Sequence, residues 1–89
     1  MKTVIFYEHA TDRTMEEFMA VFPKHQEVEA RFLKTGKVLG TGAFANPGEG
    51  AMAIFADRET AEKFVAEDPF VIEGLIAKVT IKDWNDEIS

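Results

Sequence analysis

No cysteine occurs anywhere in the sequence, which excludes disulfides, thiolate catalysis and cysteine-ligated zinc and accords with a cytoplasmic setting. Basic residues are also scarce. Ten Lys and Arg stand against 16 Asp and Glu, giving a net charge of −6, and no basic cluster is interleaved with aromatics. A polyanion would be repelled, so nucleic acid is not an expected partner. No apolar run nears the roughly twenty residues of a membrane span. The opening Met1 to Tyr7 runs directly into Glu8, His9, Asp12 and Arg13, without the h-region or small cleavage-site residues of a signal peptide. Membrane is therefore not an expected partner either. Gly40-Thr41-Gly42 lacks the further glycine and the strand-to-helix setting of a dinucleotide fingerprint, and there is no P-loop. The two histidines, His9 and His25, fall in no metal-ligand spacing. The expectation is a protein without metal or cofactor.

What is present is an ordinary globular composition, 46% hydrophobic and 29% charged over 89 residues, which fits a single domain over residues 1–89. A chain this short keeps a high surface-to-volume ratio that self-association relieves. Thr3 to His9 is apolar on both alternating sets, Val4 and Phe6 on one and Ile5 and Tyr7 on the other, and reads as a strand buried on both faces. Thr11 or Asp12 caps a helix whose stripe is Met15, Phe18, Met19 and Phe22. Pro23 predicts a kink or restart, followed by a helical stretch from about Lys24 to Thr35 with Val28, Phe32 and Leu33 inward and Gly36 as its stop. Lys37 to Ala45 and Ala51 to Ala56 read as a hairpin around the turn Asn46 to Gly50. A short helix opens at Asp57 or Arg58, turns Ala61, Phe64 and Val65 inward, and ends near Asp68 because Pro69 follows. Leu75 to Trp84 is the last strand, with Leu75, Ala77, Val79 and Ile81 on one face and Ile76, Lys78, Thr80, Lys82 and Trp84 on the other.

The resulting order, β-α-β-β-α-β, is that of an α+β ferredoxin-like fold, with two helices on one face of a four-stranded antiparallel sheet. The other face has no helix to cover it. Because the first strand is apolar on both sides, that face is expected to pack against a second copy, giving a homodimer.

Two polar residues stand where apolar ones would be ordinary. His25, three residues before Val28 and seven before Phe32, falls on the inward stripe of its helical stretch. It reads either as a core histidine bonded to a backbone carbonyl or as a proton acceptor. Asp68 reads either as part of an Asp-Pro turn or as a carboxylate that, at a helix C-terminus, needs a hydrogen-bond donor. If the two helices lie side by side, Asp68 can accept from one nitrogen of His25, fixing the tautomer and raising the basicity of the other nitrogen, while Pro69 sets the direction of the aspartate. Tyr7, His9 and Arg13 cluster around the end of the first strand, where Arg13 can stabilise an oxyanion and His9 or Tyr7 can contact a hydroxyl. Otherwise they are a solvated strand end. Glu16-Glu17 and Glu27 and Glu29 read as solvated helix faces.

Pro23-Lys24-His25, the helix ending at Gly36, the strand Val38 to Phe44, the helix from Glu59, Asp68-Pro69-Phe70-Val71 and the closing strand to Trp84 resemble the YCII-related (YciI-like) family over nearly the whole chain. The resemblance implies one YCII-related domain that pairs as a dimeric α/β barrel, with a His–Asp pair as its active site. His25 matches the family histidine, Asp68 its aspartate and Pro69 the proline after it. The family includes a dehydrochlorinase of a chlorinated hydroxyhydroquinone, and muconolactone isomerase-like proteins share its architecture. Many members have arginine where this chain has Phe22, and Gly-Pro where it has Gly42-Ala43. Arg13 is a candidate substitute for that arginine.

These readings converge on an enzyme that moves a proton on a small cyclic or aromatic compound, by elimination or isomerisation, with His25 as base and Asp68 orienting it. The alternative is a non-catalytic module of the same fold that binds a small molecule or a partner. A haem- or oxygen-handling monooxygenase of similar shape would need a further ligand that the sequence does not offer.

Overall fold

The computed structural model describes residues 1–88. Its elements are β1 (Lys2–His9), α1 (Met15–Leu33), β2 (Val38–Ala43), β3 (Ala51–Phe55), α2 (Arg58–Glu67), α3 (Pro69–Ile72) and β4 (Ile76–Trp84). The strands form one antiparallel sheet in the order β2-β3-β1-β4. The fold is therefore the α+β, ferredoxin-like one expected, with a short third helix added after Asp68.

The core lies between the helices and one sheet face. Ile5, Tyr7, Ala53 and Phe55 meet Val28 and Phe32 of α1 and Ala61 and Phe64 of α2. Alternation along the strands places Val4, Phe6, Met52 and Ile54 on the opposite face, where the register sets Val4 beside Ile54 and Phe6 beside Met52. Among the described residues, no helix covers that face.

Helix α1 runs unbroken through Pro23, so the chain does not restart there. Proline removes one backbone hydrogen bond, whose acceptor would be the carbonyl of Met19. Pro23 and Met19 are both exposed, so water can take up that carbonyl. The start is also later than expected: Thr14, not Thr11 or Asp12, is the N-cap, and it forms a capping box with Glu17. Because the helix is continuous it has a single inward stripe. At roughly 100° per residue from His25, Phe18, Val21, Val28 and Phe32 lie within roughly 60°, whereas Met19 lies roughly 120° away. Met19 is accordingly 68% exposed, and Met15 and Leu33 also point away from the core instead of joining it.

Strand β4 begins at Ile76, one residue late, and contains an irregularity. Glu8 pairs with Lys78 but His9 pairs with Ile76, so one step along β1 spans two along β4. Such a bulge resets the alternation. Ile76 thereby packs against the core with Val79 and Ile81, rather than sharing a face with Lys78 as expected.

Gly50 closes the β2–β3 connection at φ 93°, where a Cβ would sit 2.0 Å from the carbonyl oxygen of Tyr7. The connection can lie against β1 only because this residue has no side chain. Gly50→Ala is expected to cost about 2 kcal/mol or more, through both the positive φ and the backbone overlap. Urea unfolding checks this, and a midpoint equal to that of the unsubstituted protein would show that the connection is free to shift.

Candidate active site

The site is assembled at the junction of α2 and α3. Pro69 disfavours helical geometry at Asp68, whose φ and ψ of −68° and 118° are extended, so α2 stops there. Pro69 then opens α3, a position where its missing N–H costs nothing. Asp68 caps this new helix: its backbone carbonyl accepts from Val71 and Ile72 at 3.0 Å each, and its side chain accepts from the Phe70 N–H at 3.0 Å. The turn reading and the site reading of Asp68 thus describe the same residue. The negative charge expected at an unfavourable helix C-terminus is also at a favourable N-terminus.

Asp68 is fully buried, at 0% exposure. Its Oδ1 lies 2.9 Å from Nδ1 of His25, and its Oδ2 accepts the Tyr7 hydroxyl at 2.8 Å. One carboxylate therefore joins β1, α1 and α3. Tyr7 is turned inward to Asp68 and does not mark a solvated strand end. Burial, the Asp68 charge and the hydrogen bond to it together push the Tyr7 hydroxyl pKa far up, so the phenol stays protonated and donates.

His25 has 9% of its surface exposed. Its partner is the Asp68 side chain, not a backbone carbonyl. The ring stacks on Phe70, with centroids 4.3 Å apart and planes at 15°. Burial, the largest single influence, lowers the pKa of His25, but the hydrogen bond to and charge of Asp68, joined by Glu29, outweigh it and leave the pKa raised. Glu29 does not lie on a solvated face as expected: it is half-buried, and its Oε2 lies 3.3 Å from Nε2 of His25. The sequence signal for it is the i,i+4 spacing, which places the two side chains side by side on a helix.

A cavity of about 770 Å³ opens beside this network, and His25, Glu29, Tyr7 and Phe70 form part of its wall. Much of the remaining wall is apolar, including Phe18 and Phe22 of α1 and residues of the β2–β3 connection. Phe18 and Phe22 thus serve the cavity in place of the closed core expected of them. His9 also lines it, with its ring 4.6 Å from that of Phe18; burial lowers its pKa. Arg13 stands on the same wall with a guanidinium nitrogen 3.6 Å from Glu17. The hydrogen-bonded chain runs through Tyr7, Asp68 and His25, and neither His9 nor Arg13 is bonded to it.

The four-stranded antiparallel sheet with its helices makes this a ferredoxin-like protein, with His25 on a cavity wall and Asp68 buried behind it. The chain belongs to the YCII-related family, whose domain matches residues 1–85. No curated protein matches the chain. Among solved structures it is similar to 5-chloro-2-hydroxyhydroquinone dehydrochlorinase from Burkholderia phenoliruptrix, in complex with 2,5-dihydroxybenzoquinone, with TM-score 0.78, 18% identity, and 96% of this chain and 94% of that one covered. It is also similar to a dimeric protein of unknown function and ferredoxin-like fold from Bacteroides fragilis, with TM-score 0.58, 16% identity, and 96% and 94% covered. A NIPSNAP family protein from Agrobacterium tumefaciens gives TM-score 0.57 at 16% identity over 99% and 94%. These likenesses establish the fold. Among the described residues, no helix is long and apolar enough to cross a membrane.

Proposed function

We propose that the chain is a small-molecule enzyme that uses His25 and Asp68 for acid–base proton transfer on a cyclic or aromatic compound. The observation that carries this reading is the 2.9 Å contact between His25, on the wall of the cavity, and Asp68, buried behind it. With Nδ1–H donated to Asp68, the ring's other nitrogen, Nε2, is the one left to exchange a proton with a substrate once its neighbour Glu29 gives way. A substrate O–H or C–H bond breaks, the proton goes to Nε2, and the electron pair moves into the conjugated system. The pair then either expels a leaving group, in an elimination, or is reprotonated at another carbon by the imidazolium, in an isomerisation. Asp68 orients the ring and stabilises the imidazolium, and Pro69 and Tyr7 hold Asp68. The aromatic wall of Phe18, Phe22 and Phe70 suits a flat ring. The fold neighbour that acts on a chlorinated hydroxyhydroquinone supports hydroxylated aromatic compounds as the first substrates to assay. The test is turnover of such compounds by the protein and by its His25→Ala variant: equal turnover in both overturns the assignment.

The active form is a homodimer paired through the uncovered sheet face. The half-buried Phe6, Met52 and Ile54 on that face, and the dimeric state of the Bacteroides fragilis neighbour, support the pairing. Sedimentation at micromolar concentration is expected to give twice the 10.0 kDa chain mass; a single-chain mass overturns it.

A further inference from the structure

Nε2 of His25 is already engaged. It lies 3.3 Å from Oε2 of Glu29, one helical turn further along α1, and both residues line the cavity. Asp68 fixes a proton on Nδ1, because a carboxylate with a phenol and a backbone N–H already donating to it offers that nitrogen only acceptor oxygen. A neutral ring would then turn its Nε2 lone pair toward a second carboxylate. Two acceptors facing each other repel, and a proton between them converts the contact into a charge-assisted hydrogen bond.

We propose that Glu29 is a positioning residue that sets the protonation state of the cavity-facing nitrogen of His25. In the empty cavity it holds that nitrogen protonated, so the ring rests as an imidazolium between two carboxylates. Base chemistry at Nε2 then requires the proton to leave and Glu29 to take another partner. This role rests on the proton-transfer reading for its consequence in turnover, but not for its effect on His25. Asp68 faces the ring from the α2–α3 junction and is itself bonded to Tyr7 of β1. Phe22, Phe64 and Phe70 face it as uncharged rings. Arg13, paired with Glu17, and His9 stand elsewhere on the cavity wall. Glu29 is the carboxylate on Nε2.

The experiment follows the ring proton of His25 by NMR through a pH titration, with His9 as internal reference, in the unsubstituted protein, Glu29→Gln and Glu29→Asp. Glutamine matches glutamate in shape and helix propensity, so α1 is retained. It removes the charge, and its amide N–H can donate to a neutral Nε2. The His25 midpoint is therefore expected to move to lower pH in Glu29→Gln, to stay nearer its original position in Glu29→Asp, and His9 to be unchanged. In turnover, the acidic limb of kcat/KM moves the same way, so Glu29→Gln gains on the unsubstituted protein toward acid. A His25 midpoint in Glu29→Gln equal to or above the original overturns the proposal. The two readings fail separately. Coincident titrations with turnover abolished in His25→Ala sink the role of Glu29 alone, whereas a shifted titration with His25→Ala fully active sinks the enzyme reading alone.

Discussion

Asp68→Ala is expected to destabilise the protein by about 3–5 kcal/mol, the range found when one partner of a buried charged network is removed. Three donors lose their acceptor at once: the Tyr7 hydroxyl, Nδ1–H of His25 and the Phe70 N–H. The first two are buried side chains with little access to water, and each unsatisfied buried group costs about 1–3 kcal/mol. The third is a helix-capping bond worth about 1 kcal/mol. Since small domains have only roughly 5–15 kcal/mol in total, the variant is expected to lie near the limit of folding. Asp68→Asn keeps the shape and one carbonyl acceptor, so its loss is expected to be smaller. Urea unfolding of both variants checks the order. A cost below about 1 kcal/mol for Asp68→Ala would mean that the three donors find other partners and that the carboxylate is not what joins the elements.

The same residue shows how far the sequence could be read. Pro69 made a break at Asp68 legible, and the inward phase of His25 made a pairing conceivable, because both follow from local geometry. That the break would start a new helix, with Asp68 as its cap, was not legible: Phe70, Val71 and Ile72 carry no amphipathic period over only 4 residues. The contact between His25 and Asp68 spans 43 positions, and only the tertiary arrangement of α1 and α3 creates it. Tyr7 carries two sequence readings that conflict. Its alternation with Ile5 puts it inside a strand buried on both faces, whereas its place near the strand end groups it with His9 and Arg13; the structure follows the alternation. At Pro23 the propensity argument was sound but local, and an exposed carbonyl at Met19 sufficed to let the helix continue. That continuity fused two stripes into one and moved Met15 and Met19 off the core. Glu29 was legible in principle from its spacing to His25, but only after His25 had been given a function.

His25→Ala separates chemistry from architecture, because its two expected effects differ in size from those at Asp68. Turnover is expected to fall by about 10²–10⁴-fold, the usual contribution of a positioned proton-transfer group. Stability is expected to fall by only about 1–3 kcal/mol, since Asp68 keeps the Tyr7 hydroxyl and the Phe70 N–H and the vacated space opens onto the cavity. A structural histidine predicts the reverse balance. The pH profile adds a second discriminator. Proton abstraction needs the neutral ring, and the pKa of His25 is raised, so kcat/KM of the unsubstituted protein should climb with pH through a midpoint above that of an ordinary histidine. That limb should disappear in His25→Ala, and free imidazole should restore part of the rate by entering the vacated space. A variant that folds, keeps its turnover and keeps the acidic limb would place the proton acceptor elsewhere on the cavity wall, where His9 is the remaining imidazole.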